Sequence, residues 1–263
     1  MKEGVLILKI FNAIKLTKEY RNSGDRKKTM GIMDIDLEID SGDFIAVMGK
    51  SGSGKSTLLK IMGTIDIPTS GYILIKGDRV SYNNSEKLAM MRRREIGFIF
   101  QDFYLINTLS IKENIMLPMI LDGKDGKVAS EITEKNAAYF DIVNIIAKYP
   151  YEISGGEKQR VAICRALSNN PDIILADEPT GNLDSYSTKK VIDSLLMLNQ
   201  EYKKTVIVVT HDPLLASFCK KAIFLKDGKI EREIESSDDQ QEFHKRILDT
   251  IIDIDSSFTE KAT

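Results

Sequence analysis

Residues Gly49-Lys50-Ser51-Gly52-Ser53-Gly54-Lys55-Ser56 follow the pattern G-x-x-x-x-G-K-S. A loop of this kind, set between a buried strand and a helix, cradles the phosphates of a nucleotide. Its glycines let backbone N–H groups converge without Cβ clashes, and the following helix turns its positive dipole end toward the anion. Gly49, Ser51, Gly52, Ser53, Gly54, Lys55, Ser56 and Thr57 are therefore the candidate phosphate-binding residues. Lys55 supplies a mobile cation for the outer phosphates. The Ser56 hydroxyl is a hard oxygen ligand suited to Mg²⁺.

A second half of such a site lies at Ile173-Ile174-Leu175-Ala176-Asp177-Glu178. Four apolar residues read as a buried strand with two carboxylates at its C-terminal end, the edge where open α/β sheets bind ligands. Asp177 is expected in the Mg²⁺ shell. Glu178 is expected to accept a proton from an attacking water. The apolar run with Asp-Glu means little alone and much when paired with the glycine loop.

Further motifs go beyond a generic phosphate-loop enzyme. Ile153-Ser154-Gly155-Gly156-Glu157 resembles the LSGGQ signature of the ABC ATPases. Gln101 after Phe98-Ile99-Phe100 resembles that family's Q-loop, and Asn182-Leu183-Asp184 its D-loop. His211 after Val206-Ile207-Val208-Val209-Thr210 is similar to the switch histidine, and Tyr20 is placed like the A-loop aromatic. The resemblance runs from about residue 5 to residue 235 with the motifs in the family's order. It implies an ATPase with ATP and Mg²⁺ as ligands. Tyr20 would stack on adenine, Gln101 would ligate Mg²⁺ or hold the water, and Lys55, Gln101, Glu178 and His211 would carry the chemistry. Ser154, Gly155, Gly156, Glu157 and Asp184 would serve the nucleotide of a second copy in a head-to-tail homodimer. Two residues depart from the pattern: Ile153 replaces Leu, and Glu157 brings a carboxylate where the family has Gln.

Within the family, Gly97-Phe98-Ile99-Phe100-Gln101, the Glu113-Asn114 pair with Leu117-Pro118, and Asp177 to Asp184 resemble the MacB-type branch. Leu198-Asn199-Gln200, Thr210-His211-Asp212-Pro213 and Gln241-Glu242-Phe243 are similar to bacitracin-resistance (Bce-type) subunits. That resemblance implies a separate transmembrane permease, often beside a sensor histidine kinase, and work on antimicrobial peptides. The subunit would lie in the cytoplasm, peripheral on the inner face of the membrane. Lipoprotein-release, macrolide-export and cell-division ATPases of the same branch are the alternatives.

The elements that must position these residues are legible in outline. Phe44–Met48 is a continuous apolar run, as a doubly covered strand requires. Strand-like runs recur at Ile35–Ile39, Tyr72–Ile75, Ile96–Phe100, Ile173–Ala176, Val206–Val209 and Ala222–Leu225. Helical stretches follow residue 56 and span about 185–200. Strands alternating with helices predict a mainly parallel sheet. The fold class expected is α/β: a RecA-like P-loop NTPase core of the ABC type, with an antiparallel β subdomain and a helical subdomain near 102–165. Arg21 to Thr29 reads as a loop after Tyr20. Ile132, Tyr139, Phe140, Val143 and Ile146 form the predicted apolar stripe of the helical insertion. Residues 1–235 make the ATPase domain and 236–263 a helical tail, with Phe243, Ile247, Leu248, Ile251 and Ile252 on one face.

Composition sets outer bounds. The 263 residues carry 37 basic and 39 acidic side chains, a net charge of −2, which argues against a nucleic-acid partner. The two cysteines, Cys164 and Cys219, are in no C-x-x-C pair and read as reduced and structural. No run approaches the roughly 20 apolar residues of a membrane span, so work at a membrane needs a partner there.

Overall fold

The structure is a computed structural model that describes residues 9–21, 28–181 and 183–256. The first eight residues, most of the predicted 21–29 loop, Asn182 and the end of the tail lie outside the described residues.

Two sheets carry the chain. The first is antiparallel: β1 (Lys9–Arg21), β2 (Lys28–Asp40), β4 (Ser70–Ile75) and β5 (Asp78–Arg79), in the order β2-β1-β4-β5. The second holds β3 (Phe44–Met48), β6 (Ile96–Ile99), β7 (Ile173–Asp177), β8 (Thr205–Val209), β9 (Lys221–Lys226) and β10 (Lys229–Glu235), in the order β10-β9-β3-β8-β7-β6. Every neighbouring pair in it is parallel except β10 with β9. All five residues of β3 are buried, as are all five of β8. That is why these strands read as unbroken apolar runs rather than alternating ones. Each buried Val or Ile contributes about 1.5–3 kcal/mol relative to exposure, so the central strands form a stiff platform. The candidate loops emerge from their C-terminal ends.

Eight α-helices are described: α1 (Lys55–Met62), α2 (Ser85–Arg94), α3 (Ile111–Leu121), α4 (Gly126–Tyr139), α5 (Gly155–Leu167), α6 (Ser185–Gln200), α7 (Pro213–Ala216) and α8 (Gln240–Ser256). α3 to α5, with two short 3₁₀ turns between α4 and α5, make the helical subdomain. Its first helix starts with a capping box in which Ser110 and Glu113 bond each other's backbone N–H. Asp239 opens α8 by accepting from the N–H groups of Gln241 and Glu242.

Three readings of the sequence change here. The strand β2 begins at Lys28, so Thr29 is in a strand, and Tyr20 is a strand residue near the end of β1. The stripe expected at 132–146 is not the buried face of α4. That face is Ala129, Thr133, Asn136 and Ala137, continued by Phe140, while Tyr139 and Val143 are exposed. Small side chains let α4 approach its neighbours, and the helix ends before Val143 can join its register. On α8, Phe243, Ile247 and Thr250 are buried, but Leu248 and Ile252 face out.

Arg92-Arg93-Arg94 forms the last turn of α2, where cations complement the helix dipole. Arg92 donates to the Thr64 carbonyl at 2.9 Å and Arg94 to Asp122 at 2.8 Å, so the triplet ties three segments together. Cys164 and Cys219 are free and buried. Burial pushes both thiols well up, which makes them inert packing residues. No helix among the described residues is long and apolar enough to cross a membrane.

Candidate active site

The glycine loop joins β3 to α1. Gly49 and Gly54 hold φ of 147° and 104°. A Cβ at Gly54 would lie 2.3 Å from the Gly31 carbonyl oxygen, and one at Gly49 2.4 Å from that of Leu225. Backbone angle and space both demand glycine here. The result is a tight turn, braced by the Ser53 N–H donating to the Lys50 carbonyl at 3.2 Å, that leads directly into the N-terminus of α1. Lys55, the first residue of that helix, is buried and donates to the carbonyls of Gly49 at 2.7 Å and Lys50 at 2.9 Å. Burial pushes its pKa down, against the opposing pull of the Glu178 and Asp177 charges. An ammonium stored on two neutral carbonyls is ready to be taken over by an anion.

Ser56 Oγ lies 3.4 Å from Asp177 Oδ1 at the end of β7. Adjacent ligands of an octahedral Mg²⁺, each about 2.1 Å from the metal, sit about 3 Å apart. The pair therefore fits that ion by donor type and spacing. Burial raises the Asp177 pKa, and the neighbouring Glu178 charge raises it further. A cation between Ser56 and Asp177 would relieve both effects.

Glu178 follows β7 at φ 45°, an uncommon conformation for a non-glycine residue. Its N–H donates to the Val209 carbonyl at 2.9 Å, which locks the turn to β8. The carboxylate lies 2.9 Å from His211 Nδ1 and accepts from the His211 backbone N–H at 3.3 Å. One histidine thus holds the acid twice. Gln101, just past β6, packs beside Gly181: a Cβ there would stand 3.1 Å from the Gln101 amide nitrogen.

A cleft of about 580 Å³ collects most of these groups; Asp177 does not line it but lies against Ser56, which does. Tyr20, Gly31 and Thr57 line one end, together with Thr29 and Met30. Gly49, Ser51, Gly52, Gly54, Lys55 and Ser56 form its floor, and Gln101, Glu178 and His211 complete it. Ser53 does not line it: its buried hydroxyl has no hydrogen-bond partner, and the residue faces an adjoining cavity between the glycine loop and α8. Sequence reasoning did not single out Thr29, Met30, Gly31 or Lys50. Gly31 left a signal, since glycine inside a strand marks a close backbone approach.

Ser154, Gly155, Gly156, Glu157 and Asp184 do not line this cleft. They form a second constellation at the adjoining N-termini of α5 and α6. Ser154 caps the helix. Its Oγ accepts from the Glu157 N–H at 3.3 Å, and Glu157 Oε2 accepts from the Ser154 N–H and hydroxyl, each at 2.8 Å. This capping box accounts for the departure from the family pattern: a carboxylate at the third helical position does the local work that an amide oxygen does. The bonds from Ser154 hold the Glu157 pKa down. Asp184 caps α6 by accepting from the N–H groups of Tyr186 and Ser187. The two helix starts touch, since a Cβ on Gly156 would fall 2.4 Å from Ser187 Oγ.

Glu157→Ala is expected to cost about 1 kcal/mol of stability at neutral pH, the usual value of a lost cap, and Glu157→Gln less. The folded pKa is lowered, so the charge-dependent part is present above the unfolded glutamate pKa of about 4.3 and fades as pH falls through the folded value. Denaturant melts at pH 7 and pH 3.5 check this through a smaller gap between the parent chain and the Ala variant at the lower pH.

The parallel sheet, the glycine loop and the paired Asp177-Glu178 define a P-loop nucleoside triphosphatase. The chain belongs to the ABC transporter family, whose characteristic domain matches residues 32–181. It is an ATP-binding subunit of an ABC transporter and an ATPase, a class whose cassettes dimerise and work with a membrane permease. The chain is 42% identical over 253 residues to the uncharacterised ABC transporter ATP-binding protein YvcR of Bacillus subtilis, covering 96% of this chain and 98% of that one. It is 40% identical to the bacitracin export ATP-binding protein BceA of Halalkalibacterium halodurans, over 92% of this chain and 95% of that one. The lipoprotein-releasing system ATP-binding protein LolD of Aquifex aeolicus is 45% identical over 76% of this chain and 89% of its own length. Among solved structures, the ATP-binding cassette MJ0796, captured as a dimer in a post-hydrolysis state bound to ADP and Pi, superposes with a TM-score of 0.80. It is 39% identical and covers 86% of this chain and 99% of its own.

Proposed function

We propose that the chain powers a separate permease of the MacB/Bce type that confers resistance to antimicrobial peptides such as bacitracin. Similarity to the bacitracin-export subunit over 92% of the chain supports this reading. The subunit would sit on the inner face of the membrane through that permease, with a sensor histidine kinase as a further partner of the complex.

The chemistry rests on one observation above the others: Glu178, in a strained turn at the cleft, is held by both the side chain and the backbone of His211. Tyr20 stacks on adenine. The loop from Gly49 to Thr57 binds the phosphates, and Lys55 exchanges its two carbonyl partners for the outer phosphate oxygens. Ser56, Asp177 and Gln101 would hold Mg²⁺, which when bound screens phosphate charge. Glu178 takes a proton from the attacking water, and His211 keeps its carboxylate aimed. Such a base contributes about 10²–10⁴-fold. Ser154, Gly155 and Gly156, at a helix N-terminus with Glu157 and Asp184 in support, bind the γ-phosphate held by a second copy, head to tail. Loss of that phosphate then loosens the pair.

The tagged chain, recovered from bacterial membranes, is expected to bring down a permease whose loss sensitises cells to bacitracin at least several-fold. A second reading, lipoprotein release, is favoured by the 45% identity to the lipoprotein-releasing subunit. A permease whose loss leaves peptide sensitivity unchanged and retains lipoproteins in the membrane would overturn the first reading and support the second.

A further inference from the structure

One end of the cleft carries a hydrogen-bonded assembly that the reading above does not use. Tyr20 lines the cleft, and its hydroxyl donates to Asp66 Oδ2 at 2.9 Å and lies 3.4 Å from Thr57 Oγ1, a weaker contact to the phosphate loop. The other oxygen of Asp66 accepts from Lys18 Nζ at 2.5 Å and from the Ile67 N–H at 2.7 Å. Lys18 is largely buried, donates also to the Ile67 carbonyl at 2.8 Å, and stands 5.1 Å from the centre of the Tyr20 ring. Below the ring there is no slack. A Cβ on Gly31 would come within 2.8 Å of Tyr20 Cε2 and 2.9 Å of Thr57 Cγ2. The ring is thus supported beneath by Gly31 and Thr57 and pinned at its far end by a carboxylate that is itself fixed by two donors.

A stacking surface gains affinity when its orientation is set in advance, because binding then spends less on ordering the side chain. A phenol with a free hydroxyl swings about two side-chain torsions. A phenol whose hydroxyl is bonded to a fixed carboxylate does not, and hydrogen bonds to a charged acceptor are roughly twice as strong as neutral ones. Asp66 lies just past the end of α1, the helix whose N-terminus faces the phosphates. The element that meets the phosphates therefore also leads to the residue that sets the aromatic ring.

We propose that Asp66, held by Lys18, is the positioning residue that presets the Tyr20 ring for the nucleobase. The proposal rests on the reading of Tyr20 as the adenine platform. It requires that Asp66 act through the Tyr20 hydroxyl, on the base alone and not on the phosphates.

The test measures equilibrium binding of ATP and of inorganic tripolyphosphate, which has no base, to the full chain. Asp66→Ala and Tyr20→Phe are each expected to weaken ATP about fivefold, the value of one hydrogen bond of ordinary strength, with tripolyphosphate unchanged. The double variant should be no weaker than either single one. Asp66→Asn, which keeps an acceptor for the hydroxyl, should recover part of the loss. Unchanged ATP affinity in Asp66→Ala, equal weakening of ATP and tripolyphosphate, or full additivity in the double variant would each overturn the proposal. Should Asp66→Ala fail to fold, Tyr20→Phe and Thr57→Val decide together: unchanged ATP binding in Tyr20→Phe removes the role of the hydroxyl, and a loss in Thr57→Val equal to that in Tyr20→Phe, with tripolyphosphate unchanged, assigns that role to Thr57 and overturns the proposal. Tyr20→Ala separates the two layers. If it weakens ATP while Asp66→Ala does not, stacking stands and the positioning role falls. If it leaves ATP binding unchanged, both fall.

Discussion

The Glu178→Gln variant is expected to bind ATP as well as the parent chain does and to turn it over about 10²- to 10⁴-fold more slowly, the usual range for a lost general base. The amide keeps the size and the acceptor oxygen of the carboxylate, so the contact with His211 at 2.9 Å can survive in altered form. What is lost is the ability to take up a proton. ATP then stays intact, and the γ-phosphate continues to bridge two copies. Gel filtration with ATP should show a dimer that persists in the variant and is short-lived in the parent. Turnover by the variant within tenfold of the parent would remove Glu178 from the base role and leave its strained backbone without this explanation.

Mixing a Ser154→Arg chain with a Lys55→Ala chain is expected to recover activity that neither shows alone. Each variant destroys a different half of the shared site. Ser154 and its neighbours do not line the cleft that holds Lys55, which is the arrangement a composite site requires. In a symmetric dimer with random pairing, half the assemblies are mixed and each has one intact site, so about a quarter of the parent's sites return. The readout is phosphate release in the presence of the permease. A mixture as inactive as its components would mean that each chain completes its own site.

Much of this was legible in the sequence because the chemistry fixes the spacing. A phosphate loop must turn sharply and then start a helix, so Gly49, Gly54 and Lys55 have little freedom in type or position. Strands covered on both faces must be apolar throughout, and Phe44–Met48 and Val206–Val209 could be read directly. Other features depend on packing that leaves no periodic trace. The buried face of α4 contains Thr133 and Asn136, which a search for large apolar residues passes over, whereas Tyr139 and Val143 attract that search and are exposed. The contact between Tyr20 and Asp66 joins residues 46 positions apart, and a lone aspartate after a helix carries no mark of its partner. Glu157 was legible as a residue able to bond locally, though not as half of a capping box. It departs from the family pattern by a charge, and at the helix start it makes the local bonds that an amide oxygen could make.

That capping box has a consequence for chains that meet empty-handed. The Ser154 hydroxyl gives its proton to Glu157, so it can serve a neighbour's phosphate only by giving up a bond it already has. On the proposed composite site, two chains that meet without ATP would therefore present an occupied hydroxyl, and a full triphosphate would have to displace that bond before they pair. The arrangement would then act as a threshold against idling: pairing would wait for charged fuel, and the spent form would let go.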